Sequence, residues 1–154
     1  MNGGSLDTMI RDKKEQILKY NIAKGPLYYF PEKLIWRFAL QALVGVEYIH
    51  RNGITNGDIK SGNLFLHFPN DVEDLANAEL KLGDFNMSKH LEKYASNQKS
   101  AFQAFDVFAL GAALYELTTL KMMFPVRNAH HIMEALRKGE EYAPIPSHFS
   151  PELH

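Results

Sequence analysis

The 154 residues include no cysteine, which excludes disulfides, thiolate metal sites and a cysteine nucleophile and fits a reducing compartment. No apolar run approaches the roughly 18 residues that cross a bilayer. The opening Met1-Asn2-Gly3-Gly4-Ser5-Leu6-Asp7 lacks the basic and apolar regions of a secretory signal. An excess of one charge is missing too: 17 Lys and Arg stand against 18 Asp and Glu, a formal net charge of -1. Such a chain has no field to gather nucleic acid or an anionic membrane surface, so neither is expected as a partner and the chain reads as cytoplasmic. Repeats and low-complexity tracts are absent. What is present is ordinary for a globular protein: 45% hydrophobic and 23% charged residues, in a length suited to one domain with a real core.

Gly3-Gly4-Ser5 predicts a turn and a serine cap ahead of a short amphipathic helix beginning at Leu6. Residues 13–26 are polar and glycine-punctuated, which predicts a helix end and a loop. Pro31 suits a first helical position and Glu32 the opening turn. Beyond them Ile35, Phe38, Ala42, Val46 and Ile49 recur every three or four residues, one apolar face of a long helix to about His50. Gly53 then suits a left-handed cap. Leu64-Phe65-Leu66 and Leu80-Lys81-Leu82 predict the strands of a hairpin, separated by an acidic surface insertion, Pro69–Ala78, that reads as dispensable. His90–Gln103 carries no strong period. From Asp106 onward, Val107, Leu110, Leu114 and Leu117 with alanines between them predict a nearly all-apolar helix buried on several sides. Asn128–Lys138 predicts another, stopped by Gly139.

Chemistry concentrates in Asp58-Ile59-Lys60-Ser61-Gly62-Asn63 and in Gly83-Asp84-Phe85-Asn86. An acid, a lysine two places on and an asparagine five places on suit a loop that positions a hydroxyl nucleophile. The same loop can supply one oxygen ligand to magnesium, and a carboxylate after a short strand can supply another. On local grounds alone these residues are also good turn formers and solvated charges.

The two runs resemble the H-R-D-x-x-x-x-N and D-F-G motifs of eukaryotic protein kinases. Within kinases the resemblance is to the NIMA-related (NEK) serine/threonine family. Gly3-Gly4-Ser5-Leu6 is similar to its post-hinge G-G-D-L, and Ile35-Trp36-Arg37, Gln41 and Tyr48-Ile49-His50 to its long helix. Asp106-Val107-Phe108-Ala109-Leu110-Gly111 is similar to D-I-W-A-L-G. Leu114–Lys121, Phe124, Pro144-Ile145-Pro146 and Ser150-Pro151-Glu152-Leu153 continue the match.

The resemblance implies a protein kinase-like, α+β fold in which this chain forms a mainly α-helical C-lobe with a small β-hairpin. Residues 1–154 are then a partial kinase domain, shortened at both ends and lacking the N-lobe. It also implies roles. Asp58 accepts the proton of the substrate hydroxyl, Lys60 approaches the transferred phosphate, and Asn63 and Asp84 hold magnesium and, with it, ATP. An intact relative transfers the γ-phosphoryl group of ATP to serine or threonine.

Several supports depart from that pattern. Asn56 and Gly57 stand where the motif has histidine and arginine, which removes the anchor for a phosphorylated loop. Asn86 replaces the glycine after Asp84-Phe85. Asp106 follows Asp84 by only 22 positions, with no A-P-E-like triplet or G-T-P-Y-Y-type platform between them. The expectation is therefore a degenerate, catalytically impaired kinase homologue that binds protein partners through exposed helical surfaces. The alternatives are an active or nucleotide-binding half completed by an N-lobe from another chain, and a gene fragment without function. The NEK resemblance also implies association with the cytoskeleton. Two further residues have plainer expectations. His50 is expected to be a packed, hydrogen-bonded structural residue. Trp36 is expected to face the core or a partner.

Overall fold

Ser5 starts the first helix by accepting the N–H of Thr8 at 3.3 Å; the resulting α1 spans Leu6–Lys19. The computed structural model describes residues 2–69, 74–124, 134, 137–139 and 142–153. Helix α1 runs further than its polar second half predicts. No glycine or proline interrupts it before Gly25, and continuing to Lys19 lets Ile17 join Leu6 and Ile10 in the core.

The long helix α2 spans Glu32–Arg51. Pro31 is its extended N-cap, one position earlier than predicted, and as an N-cap it donates no hydrogen bond the helix needs. Ile35, Phe38, Ala42, Val46 and Ile49 are all buried, as their spacing requires. Gly53, at φ 71°, closes the helix by donating to the carbonyl of His50.

Two ribbons follow. Strands β1 (Ile54–Thr55) and β4 (Lys89–His90) pair antiparallel, as do β2 (Leu64–His67) and β3 (Glu79–Leu82). In the second ribbon Leu64 faces Leu82 and Leu66 faces Leu80, so alternation sends Leu64, Leu66 and Leu80 into the core. The described end of the insertion within this hairpin, residues 74–78, is tied to α2. Phe68 and Ala78 are buried at its ends. Gln41 accepts the N–H of Leu80 at 2.7 Å, and the Arg37 guanidinium donates to the carbonyls of Leu75 and Ala76.

Helix α3 spans Ser96–Thr119 and begins ten positions ahead of Asp106, where the sequence pattern placed its start. Nothing between His90 and Asp106 breaks a helix. Phe102 supplies a reason to extend it: Lys89 lies 4.1 Å over its ring and Tyr94 meets it edge-on at 5.0 Å. The helix buries Leu110, Ala113 and Leu117 against the core, while Val107 and Phe108 stay exposed. Burial is one-sided in the first half of the helix, whereas Glu116, Leu117, Thr118 and Thr119 in succession are buried on every side, as predicted. The chain returns to α2 at its end, where Phe149 is buried and Ser150 donates its backbone N–H to Glu32 at 3.0 Å. The predicted helix Asn128–Lys138 lies largely outside the described residues.

Candidate functional site

Residues 56–63 form the loop between β1 and β2, and a 3-10 turn, Ser61–Asn63, brings the end of the loop back over its start. Three predicted site residues therefore meet. Lys60 Nζ lies 2.5 Å from Asp58 Oδ2, and Asn63 donates its side-chain amide to both the carboxylate and the carbonyl of Asp58 at 2.9 Å. Asn63 is buried; the Asp58 side chain is about a third exposed.

Asp106 holds the start of this loop. It is fully buried in α3. Its Oδ1 accepts the N–H of Gly57 at 2.8 Å, and its Oδ2 accepts that of Asn56 at 2.9 Å and lies 2.9 Å from His50 Nε2. Three partners make a buried carboxylate tolerable, and His50 proves to be the structural residue its position suggested.

Asn56 joins the loop to the fourth predicted residue. Its Oδ1 accepts the N–H of Asp58 at 3.0 Å, while its Nδ2 donates to the carbonyls of Gly83 and Asp84 at 3.3 and 3.2 Å. Gly83 in turn donates to the carbonyl of Asn63 at 3.0 Å. The segment bearing Asp84 is thus stitched to both ends of the loop bearing Asp58 and Asn63. Asp84 itself has φ 51°, a left-handed backbone rare outside glycine. Such strain persists only where neighbours over-determine it, and the bonds from Asn56 do so. The Asp84 carboxylate is exposed and accepts the N–H of Asn86 at 3.3 Å.

The protein kinase domain model matches residues 1–103, two thirds of the chain. The chain belongs to the protein kinase family. Among its relatives are two from Dictyostelium discoideum, the probable serine/threonine-protein kinases nek3 (32% identical, covering 80% of this chain and 12% of the relative) and nek2 (33%, 81% and 32%). Serine/threonine-protein kinase Nek5 of Mus musculus is 33% identical over 80% of this chain and 21% of its own length. The chain therefore spans between about an eighth and a third of these relatives. The NEK lineage read from the motifs holds, and the helical body with its small ribbons agrees with the C-lobe of a kinase domain.

Magnesium can be weighed against the donor set of this kinase loop. The amide N–H groups of Asn63 are turned to Asp58, which leaves its carbonyl oxygen free to serve as a ligand, and Asp84 offers an exposed carboxylate. Among the described residues no group of three or more His, Cys, Asp or Glu could hold a metal. One carboxylate and one amide oxygen suit magnesium only when phosphate oxygens and water complete its octahedron. The residues fit an ion that arrives with a nucleotide.

Two contributors escaped the sequence reading: Asp106 as acceptor for the loop amides, and Glu116, whose buried carboxylate accepts the Ser61 hydroxyl at 2.7 Å. The available signal was an acid inside an otherwise apolar helical run. Among the described residues no helix is long and apolar enough to cross a membrane.

Proposed function

We propose that this chain is a NEK-type kinase module that has kept its catalytic loop as structure, lost phosphoryl transfer to protein, and acts by binding other proteins. The carrying observation is the course of the chain from Asp84 to Asp106. Helix α3 takes up the last ten of those positions before Asp106, so the residues left over form no A-P-E-like triplet and no platform for an acceptor peptide. Gly57 replaces the arginine that would anchor a phosphorylated loop. Peptide platform and phosphate anchor are lost together.

What remains would still do part of the chemistry. Asp58 would accept a proton from a hydroxyl, a role supported by the hold of Lys60 and Asn63 on its carboxylate. Asn63 and Asp84 would hold magnesium, and ATP with its magnesium would supply the phosphoryl group and neutralise its charge. Transfer depends on positioning, and a misplacement of about 1 Å can cost about a hundredfold. An acceptor with no platform is held far less well than that.

Candidate surfaces for partners lie on α2. Leu40, Val44 and Tyr48, spaced one turn apart, are 61%, 66% and 69% exposed, and Phe85 is 42% exposed. A contiguous apolar stripe of this kind marks an interaction site. A second reading, a kinase half completed by an N-lobe from another chain, draws support from the hold of Asn56 on Asp84.

Co-purification from the native cells separates the two readings. A binding module keeps its complexes in Asp58→Asn and loses them in Val44→Asp. Complexes that change with Asp58→Asn and ignore Val44→Asp would favour the enzyme.

A further inference from the structure

Trp36, Leu40, Val44 and Tyr48 stand four residues apart on α2, which aligns them as one ridge of side chains, and all four are exposed. The row beside them, Arg37, Gln41 and Gly45, lies low. Arg37 is turned onto the carbonyls of Leu75 and Ala76, Gln41 onto the N–H of Leu80, and Gly45 has no side chain. A groove therefore runs beside the ridge, lined by Gly45, Leu80, Leu82 and Phe85. The packing of β3 does not require this glycine, because a Cβ on it would meet Leu82 at an ordinary 3.8 Å. Glycine weakens a helix interior, yet here it keeps the groove open.

Ridge and groove are both apolar and lie side by side, so the face is complementary to itself. Turning a second copy over about an axis parallel to the ridge lays each ridge in the other's groove. Rows at four-residue spacing are inclined about 26° to the helix axis, so the two α2 helices then cross at about 50°, the commonest class of helix packing. The same rotation carries Lys81, which lines the groove, toward Glu47 on the opposite flank of the ridge. Charges at the border come as neighbours of opposite sign, Glu47 with Arg51 and Glu79 with Lys81. Such a border has no net field to draw a strongly acidic or basic partner, and it does not repel its own copy. Size agrees as well. With Leu43 and Phe85, the ridge exposes on the order of 600 Å² of side chain per copy, against roughly 800 Å² per partner in a standard interface.

We propose that the partner on this face is a second copy of the chain, in a reversible two-fold dimer that packs α2 against α2. This rests on the protein-binding reading above and names the partner. One patch meeting itself about a two-fold axis is also the commonest form of association among soluble chains.

Sedimentation velocity of the purified chain, from about 1 to 300 µM, tests this. A monomer–dimer equilibrium should appear within that range. Val44→Asp should weaken it by about tenfold or more. Gly45→Leu is the sharper variant, since it adds apolar surface and a better helix former. It should nevertheless weaken the dimer by about tenfold or more, because it fills the groove; association by general stickiness would be unchanged or stronger. Because the chain has no cysteine, a single introduced thiol reports the geometry. Val44→Cys should oxidise to a disulfide-linked dimer several-fold faster than Leu18→Cys, which lies on α1 and is more exposed.

A chain that stays monomeric at about 300 µM, association that Gly45→Leu leaves intact, species that grow beyond the dimer, or equal linkage of the two cysteine variants would each overturn the proposal. If the chain stays monomeric while Val44→Asp still dissolves the cellular complexes, the binding-module reading stands and the second copy falls. If it stays monomeric and Val44→Asp also changes nothing in cells, both fall.

Discussion

The side-chain amide of Asn56 donates to the carbonyl of Asp84 at 3.2 Å, across 28 positions of sequence. By its other bonds the same residue holds Asp58 and Gly83, so one fully buried asparagine ties together the two segments that carry Asp58 and Asp84.

Asn56→Ala should destabilise the fold by about 2–3 kcal/mol, because it strands a buried N–H and buried carbonyls at once. Asn56→Asp should cost at least as much. It retains the acceptor for Asp58 N–H but turns an oxygen toward two carbonyls. Urea denaturation monitored by circular dichroism gives both values, and a change within about 0.5 kcal/mol of zero would contradict the geometry.

Gly57 stands at φ 79°, and a Cβ there would lie 2.9 Å from the carbonyl oxygen of Met87. Gly57→Ala should therefore cost about 1–3 kcal/mol, from backbone strain and a contact with main chain that yields little. Gly53→Ala tests the account of the clash. Gly53 has a similar φ, 71°, but nothing lies within 4 Å of its would-be Cβ. It should be the milder of the two by the same denaturation measurement.

Asp106→Asn should cost about 3–5 kcal/mol, since it removes a buried charge on which two backbone N–H groups and His50 converge. His50→Ala removes one partner and leaves two, so it should cost less. Thermal unfolding of the two variants under one buffer orders them, and the reverse order would show that the loop amides do not depend on Asp106.

Glu32 ties the end of the chain to α2. Its carboxyl is held below the ordinary glutamate range chiefly by the Ser150 hydroxyl, then by the Ser150 N–H and the Trp36 indole. A depressed pKa contributes stability that is present above the unfolded value and is lost as pH falls through the folded value. Acidification below the usual glutamate range should therefore release the tail. Trp36 is the one tryptophan and donates to Glu32 at 3.0 Å, so its fluorescence reports the event. The transition should vanish in Glu32→Gln and move to higher pH in Ser150→Ala. An unchanged profile in both would detach the transition from this contact.

Much of the scaffold was legible because periodicity is a packing signal. Ile35 through Ile49 had one burial solution, and so did the alternating leucines of the hairpin. The early start of α3 was not legible. Its first five residues, Ser96 to Ser100, are all polar, and what recruits them is the contact of Phe102 with Lys89 and Tyr94, which no local pattern contains. Arg37 and Gln41 were read as kinase-like identities, yet their work of pinning the insertion appears only in three dimensions. At the site, the motif drew attention to Asp58, Lys60, Asn63 and Asp84, and the structure brings the first three into direct contact. Asn56 was read as a departure from the motif. In the fold it spans both segments because an asparagine carries a donor and an acceptor on one short side chain. Burial of Glu116 with so few partners likewise depends on which side of α3 meets the loop.

The most direct measurement of the central claim is phosphoryl transfer. The purified chain is incubated with magnesium and γ-labelled ATP, and label is followed into the chain itself and into added serine- and threonine-containing protein, with Asp58→Asn and Asp84→Asn alongside. The account predicts incorporation no greater than in the two variants. Incorporation that is present in the native chain and absent from both would show a working kinase and contradict it.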